Sequence, residues 1–185
     1  MPENEDKFGD ISILDNRKRG SVGEYLIEKI KPDAKLSFVS AYFTIYAYQK
    51  LKKQLDEVDH LRFLFGEPSF IKSLGGDQNN QRNAHILDES ITIPVQDRLF
   101  QRNAAKECAE WIKTKTEIKS RVKPNFLHGK LYLIENSNGV KEGIAGSSNF
   151  TVNGLGLGGR PNMELDLVIN HKFERNDPEK WFGEL

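Results

Sequence analysis

The sequence predicts an α/β protein in which a mixed β-sheet is flanked by helices on both faces. Two observations lead to this prediction. Residues 36–66 show the pattern of a strand, a helix and a strand, which is typical of a parallel βαβ unit. Residues 126–145 show two alternating strands joined by a turn, which is typical of an antiparallel hairpin. A sheet that holds both units has to be mixed.

Each element has its own signal in the sequence. Ser21, with Glu24 three residues later, has the spacing of a capping box, so a helix is expected to begin there and to end before Pro32. Pro94 would confine a short strand at residues 91–95 to an edge of the sheet. Apolar periodicity predicts the other elements, which are strands at 11–14, 36–43, 61–66, 117–122, 126–135, 140–145 and 163–169 and helices at 45–58 and 97–114.

Length and composition predict one folded domain. Residues 1–20 are interpreted as an N-terminal segment and residues 21–185 as the domain. Residues 67–95 have a loop composition around Gly75 and are interpreted as an insertion. The chain stops just after an aromatic pair at residues 181–182, and this ending favours a fragment of a longer protein.

Charge and cysteine content argue against several classes of protein. The 27 basic residues balance the 27 acidic ones, which argues against a purely electrostatic nucleic-acid binder but not against a local basic cleft. A single cysteine, Cys108, cannot form an internal disulfide and fits a reducing compartment. The acidic start does not resemble a secretion signal, and no apolar run reaches the roughly 18 residues of a spanning helix. We therefore expect a soluble, cytoplasmic protein with no membrane partner.

A histidine and a lysine two residues apart form the first part of a candidate site. His128 and Lys130 lie on a predicted strand, where side chains at i and i+2 point to the same face. An imidazole and an ammonium on one face can converge on one anion. A sheet face with an incidental histidine and a lysine that extends to solvent would show the same pattern.

Polar residues further along the chain could join this pair. Ser147 and Asn149 follow the second strand of the hairpin, where they could bind phosphate oxygens or simply satisfy a turn. Glu164 stands in an apolar strand, where a carboxylate is costly without a partner such as a histidine. An exposed strand end is the alternative for Glu164, and Asp166 could equally face solvent.

Three motifs together resemble those of the phospholipase D superfamily. His128-Gly129-Lys130, followed after four residues by Glu135, is similar to the histidine-x-lysine-x4-aspartate signature, with glutamate in place of aspartate. Residues 146–151 resemble the downstream glycine-serine-x-asparagine element, and residues 162–164 resemble the acidic element that follows it. The motifs have the order and spacing of the family and lie within residues 126–170.

The resemblance implies a phospholipase D-like half-site that transfers a phosphodiester in two steps without a metal or any other cofactor. It assigns a role to each motif residue: His128 as nucleophile or acid, Lys130 and Asn149 as phosphate clamps, Ser147 as a secondary phosphate donor, Glu164 as the residue that orients His128, and Glu135 as a structural acid. Because the motif occurs once, the second set of residues is expected from a homodimer, with a second motif elsewhere in a longer chain as the alternative.

The resemblance also favours a substrate. Single-motif members of the superfamily include bacterial nucleases and restriction-type endonucleases, and similar domains precede Swi/Snf-type helicase modules. The run at residues 154–157 resembles these helicase-attached domains, so DNA is the favoured substrate and C-terminal helicase or ATPase domains are expected partners. A solvated helix end could explain the following basic residues as well as a cleft for a phosphate backbone could: Lys113, Lys115, Lys119, Arg121 and Lys123.

Two alternatives remain open at this point. One is a non-catalytic module that binds nucleic acid or dimerises. The other is a lipid phosphodiesterase, for which the sequence offers no amphipathic basic helix.

Overall fold

The computed structural model describes residues 13–65, 95–120, 128–169 and 181–182. These residues form seven strands and three helices, which are β1 (Ile13–Leu14), α1 (Val22–Lys29), β2 (Lys35–Ser40), α2 (Ile45–Glu57), β3 (His60–Phe65), α3 (Val95–Lys115), β4 (Thr116–Ser120), β5 (Lys130–Glu135), β6 (Lys141–Gly146) and β7 (Asp166–Ile169). The strands form one sheet in the order β1-β7-β6-β5-β2-β3-β4.

The sheet is mixed, as predicted. Strands β2, β3 and β4 are parallel, and α2 connects the first two of them in a βαβ unit. The remaining pairs, from β2 through β5, β6 and β7 to β1, are antiparallel. The hairpin between β5 and β6 turns at Asn136, whose N–H donates to the carbonyl of Val140 at 2.9 Å. The α/β class and both supersecondary units are therefore confirmed.

Apolar side chains fill both faces of the sheet. The larger cluster lies between the sheet and the three helices, and aromatic rings meet at its centre, with Phe38 and Tyr132 at a centroid distance of 5.0 Å. The smaller cluster lies on the other face, where Phe182, in a helical pair of residues, packs with Leu131. Alternation along β5 sends neighbouring side chains to opposite clusters, and helical residues lie on both faces.

Helix α1 anchors the glycine-rich segment that follows the predicted asparagine motif. Its capping box is present, because the Ser21 hydroxyl accepts from the Glu24 N–H at 3.1 Å and the Glu24 carboxylate accepts from the Ser21 N–H. The N–H of Gly23 donates to the carbonyl of Leu155 at 2.7 Å, and the buried Asn16 side chain donates to the carbonyl of Gly154 at 2.6 Å. These bonds fix the glycine-rich segment that follows Asn149 along the chain.

Two strands are shorter than predicted for a common reason. Strand β5 begins at Lys130 and β7 at Asp166, so His128 and Glu164 lie just outside them. Neighbouring strand β6 ends at Gly146, which is opposite both Lys130 and Asp166. Beyond that point the Ser147 N–H still donates to the carbonyl of Leu165 at 3.2 Å, but the regular ladder has ended.

Other predictions fall partly outside the described residues. The strand predicted at 91–95 does not include Val95, which is the first residue of α3, and residues 91–94 are not described. Most of the N-terminal segment and of the insertion predicted at 67–95 also lie outside the described part of the chain. None of the helices described is long and apolar enough to cross a membrane.

Candidate functional site

The three motifs come together at one end of the sheet. Lys130 on β5 is opposite Gly146 on β6, and Gly146 is opposite Asp166 on β7. This register brings the histidine-lysine pair, the segment 146–149 and the segment 162–166 to the same edge. We call this edge the site end.

The ammonium of Lys130 is available to an anion at the site end. Its Nζ donates to the backbone carbonyl of His128 at 2.7 Å, and no carboxylate among the described residues lies within ion-pair distance of it. His128 is exposed, and its imidazole makes no hydrogen bond with a described residue. A phosphate oxygen could therefore reach both groups without displacing an ion pair.

The segment that follows β6 crosses the end of β5, and hydrogen bonds to the side-chain oxygen of Asn149 hold it there. The chain leaves β6 at Gly146, and the Asn149 Oδ1 accepts from the N–H of Ala41, just past β2, at 3.2 Å. The hydroxyl of Ser40 also lies 3.2 Å from Oδ1 and accepts from the N–H of Phe150 at 2.9 Å. Because β5 lies between β2 and β6, the segment passes over its Lys130 end. With the oxygen engaged, the amide nitrogen of Asn149 can donate to a ligand.

Glu164 is hydrogen-bonded by two uncharged groups. The Ser147 hydroxyl donates to Oε2 at 2.5 Å, and the Asn162 amide donates to Oε1 at 3.2 Å. The Ser147 hydroxyl also accepts from the N–H of Leu165 at 3.0 Å. Glu164 and His128 both lie at the site end, but the structure shows no hydrogen bond between their side chains. The roles of Glu164 as orienter and of Ser147 as phosphate donor stay predictions.

Sequence reasoning missed the importance of Asp166. The expectation that it could face solvent is wrong, because its side chain is completely buried. Its carboxylate accepts from the Ser148 N–H at 3.1 Å and from the Ser148 hydroxyl at 2.6 Å, and the Tyr132 hydroxyl donates to the Ser148 carbonyl at 2.7 Å. Asp166 therefore holds the segment that carries Asn149. The signal was present, since a carboxylate in an apolar strand needs partners.

The burial of Asp166 explains why position 146 is glycine. A Cβ at Gly146 would overlap the Asp166 carboxylate and the carbonyl of Leu165. Burial raises the pKa of the Asp166 carboxyl above its usual value, although the hydrogen bonds from Ser148 act in the opposite direction.

Glu135 lies at the opposite end of β5 from Lys130. Five residues at about 3.3 Å each place their backbones roughly 17 Å apart. Glu135 Oε2 lies 3.7 Å from the Nζ of Lys141, and a cavity of about 240 Å³ opens beside them. We call this edge the far end, and it consists of Lys29, Lys35, His60, Arg62, Glu117, Glu135, Lys141 and Glu142.

Among the basic residues that were expected to form a cleft, the ones that the structure describes are not gathered at the site end. Lys113 and Lys115 end α3 just before β4 begins, which is the far end of the parallel strands. Lys115 Nζ donates to the carbonyl of Val58 at 2.7 Å, and Lys119 pairs with Glu117 at 3.3 Å. Arg121 and Lys123 lie outside the described residues. Lys113 and Lys115 therefore do not line a cleft at Lys130.

Comparison with known proteins agrees with this geometry. The chain is similar to a family model described as cardiolipin synthase, phospholipase D-like domain, and the match spans residues 40–185. The matched region begins at the last residue of β2 and includes the whole site end. No curated protein was found to match the chain.

Proposed function

The chain belongs to the phospholipase D-like family, and from this premise we propose that it is a metal-independent phosphodiesterase that acts on nucleic acid, with DNA favoured. The observation that carries the proposal is the convergence of His128, Lys130 and Asn149 at the site end. Family membership supports a phosphodiester-related activity. The exposure of His128 suits a long polymer that passes across the site.

The reaction would proceed through a phosphohistidine. A ring nitrogen of His128 attacks phosphorus and forms a P–N bond while the P–O bond to the leaving oxygen breaks. A second imidazole gives its proton to that oxygen, then takes a proton from water as the water attacks phosphorus and frees His128. Lys130 and the Asn149 amide would stabilise the negative charge that grows on the other phosphate oxygens.

A second copy of the chain would supply the second imidazole. Three exposed apolar side chains alternate beside Glu164, namely Met163, Leu165 and Leu167, at 73%, 62% and 53% exposure. Leu167 continues the face of the smaller apolar cluster, because it is opposite Ala145 in the ladder. Several exposed apolar side chains next to half a site favour a partner that covers both. In this arrangement, His128 of the partner subunit would act as the acid.

A nuclease assay in excess chelator tests the proposal. We expect wild type to cleave DNA with EDTA present and His128→Ala to be inactive at unchanged thermal stability. Clean DNA binding without cleavage over a broad pH range would instead support the non-catalytic binding module. Release of head groups from phospholipid vesicles, without nuclease activity, would support the lipid phosphodiesterase.

Mixing experiments in the same assay test the shared site. When the His128→Ala chain replaces wild type at fixed total protein, activity should fall with the square of the wild-type fraction once subunits exchange. A double variant, His128→Ala with Leu165→Glu, should not inhibit, because it cannot join a dimer. Ile27→Glu in place of Leu165→Glu is the matched control, since Ile27 is also exposed but lies on α1. A linear decline, with only monomer in sedimentation, would contradict the shared site.

A further inference from the structure

A short basic loop lies beside the site end but has no role in the chemistry described above. Arg17, Lys18 and Arg19 are all exposed, and none forms an ion pair with a carboxylate among the described residues. The loop follows β1, which is paired with β7 so that Leu14 is opposite Asp166. The N–H of Glu164 approaches the carbonyl of Asp15 at 3.4 Å. The three cations therefore emerge at the same edge of the sheet as the site.

The backbone of this loop is fixed by buried and charged groups. The Asp15 carboxylate accepts from the N–H groups of Arg17 and Arg19 at 2.8 and 2.9 Å, and these bonds lower the pKa of Asp15. The N–H of Asn16 donates to the carbonyl of Gly20 at 3.0 Å, and the Asn16 side chain is buried against the glycine-rich segment. A fixed loop loses little conformational entropy when its side chains bind a ligand.

The distance between the loop and Lys130 determines what ligand could use both. Leu14 and Lys130 are separated by three steps across the sheet, at β7, β6 and β5. At about 4.8 Å per step, their backbones are roughly 14 Å apart. One phosphoryl group cannot touch both places. A nucleic-acid strand can, because a duplex strand carries a phosphate about every 3.4 Å along its axis, so roughly four phosphates span this distance.

We infer that the loop of Arg17, Lys18 and Arg19 is a binding site for the phosphates that flank the scissile one, and that it makes the protein act on polymeric nucleic acid. This inference rests on the proposed function, since it extends the same site. Guanidinium and ammonium groups fit phosphate oxygens, and arginine can bind them in a bidentate way. Such contacts are independent of base sequence, so the loop supplies affinity and register along the strand.

Binding of a labelled DNA duplex to inactive His128→Ala protein tests the loop directly. In the same background, changing Arg17, Lys18 and Arg19 to glutamine should weaken binding and reduce the slope of log affinity against log salt by about 2 to 3. The matched control changes three exposed lysines on helices α2 and α3 to glutamine: Lys50, Lys53 and Lys106. It removes the same charge and should leave the slope nearly unchanged. An unaltered slope in the loop variant, or equal losses in both variants, would overturn the inference.

Kinetics on two substrates separate the loop from the chemistry. With His128 intact, the loop variant should lose at least tenfold more kcat/KM on DNA than on bis-para-nitrophenyl phosphate, which has no flanking phosphates. The loss should appear in KM. If wild type hydrolyses neither substrate but the salt slope still depends on the loop, the proposed reaction fails while the phosphate site stands. If kcat/KM falls equally on both substrates, the loop acts on the chemistry at the site end and the inference is wrong.

Discussion

The two ends of β5 carry similar charged side chains, but these side chains have different partners at each end. At the far end, cations pair with carboxylates, as Lys141 does with Glu135 at 3.7 Å and Lys29 with Glu142 at 3.6 Å. At the site end, the carboxylates accept from hydroxyl and amide groups, and Lys130 donates to a backbone carbonyl. An anion would have to break ion pairs to bind at the far end, but at the site end it meets the Lys130 ammonium, which forms no ion pair with a described carboxylate.

Residue types alone therefore do not distinguish the two ends. The far end also has a histidine, several lysines and a cavity, yet His60 lies 3.9 Å from Glu117 and the cavity walls mix both charges. What distinguishes the site end is the uncharged partners of its carboxylates and the amide of Asn149, whose oxygen already accepts a hydrogen bond from the backbone. The comparison therefore predicts where substitutions should affect turnover and where they should affect little.

The largest expected effect follows from removing the ammonium at each end. Lys130→Ala should lower kcat by roughly 100-fold or more, because a charge that stabilises the transition state is lost, while the fold is kept. Lys141→Ala is the matched control at the far end and should change kcat less than about twofold. Steady-state cleavage of DNA in EDTA measures both. Equal losses in the two variants, or no loss in either, would remove the distinction between the ends.

The sequence was sufficient to predict most of the fold. Capping at Ser21 and the alternation on β5 are local signals, and both survive in the structure because packing does not oppose them. The grouping of the three motifs could also be predicted, from a resemblance. The hydrogen bonds of Glu164 and Asn149 could not, because they depend on side-chain directions set by the register of β5, β6 and β7.

Asp166 illustrates the limit of pattern reasoning at the site end. Alternation placed Glu164 and Asp166 on one face but could not show which of them is buried. The deciding feature is the absent side chain at Gly146 on the neighbouring strand, which leaves room for the carboxylate. The alternation of residues along one strand does not show which residue lies opposite on the neighbouring strand.

A smaller effect, on stability, is expected from the carboxylates at the two ends. Asp166→Ala should lower the free energy of unfolding by about 2 to 3 kcal/mol, because the buried N–H and hydroxyl of Ser148 would lose their acceptor. Glu117→Ala removes the exposed far-end partner of His60 and should change it by no more than about 0.5 kcal/mol. Urea denaturation followed by circular dichroism measures both. A loss of stability well below this range in Asp166→Ala would mean that water accepts the hydrogen bonds from Ser148 in place of the carboxylate.

The pH dependence of stability provides a second measurement on Asp166. Its folded-state pKa is raised, so the folded protein binds the proton more tightly than the unfolded chain, whose value is near 3.8. The resulting stability is fully present below that pH and is lost as pH rises through the folded-state pKa. Asp166→Asn should flatten this decline. Glu164 and Tyr132 interact with Asp166 and are present in both proteins, so the difference between the two curves isolates Asp166.

A small effect on both turnover and stability is expected at Glu135, the motif acid that lies at the far end. Its only described charge partner within ion-pair distance is Lys141, at 3.7 Å, and both side chains are partly exposed to water. Such a pair contributes about 0 to 1 kcal/mol, and roughly 17 Å of strand separates it from Lys130. Glu135→Ala should therefore keep kcat within about twofold in the EDTA assay and change the free energy of unfolding by less than about 1 kcal/mol. Glu135→Asp, which restores the residue typical of the family, should behave like wild type. A large loss of turnover at unchanged stability would show that the two ends of β5 are coupled, and the contrast between them would then fail.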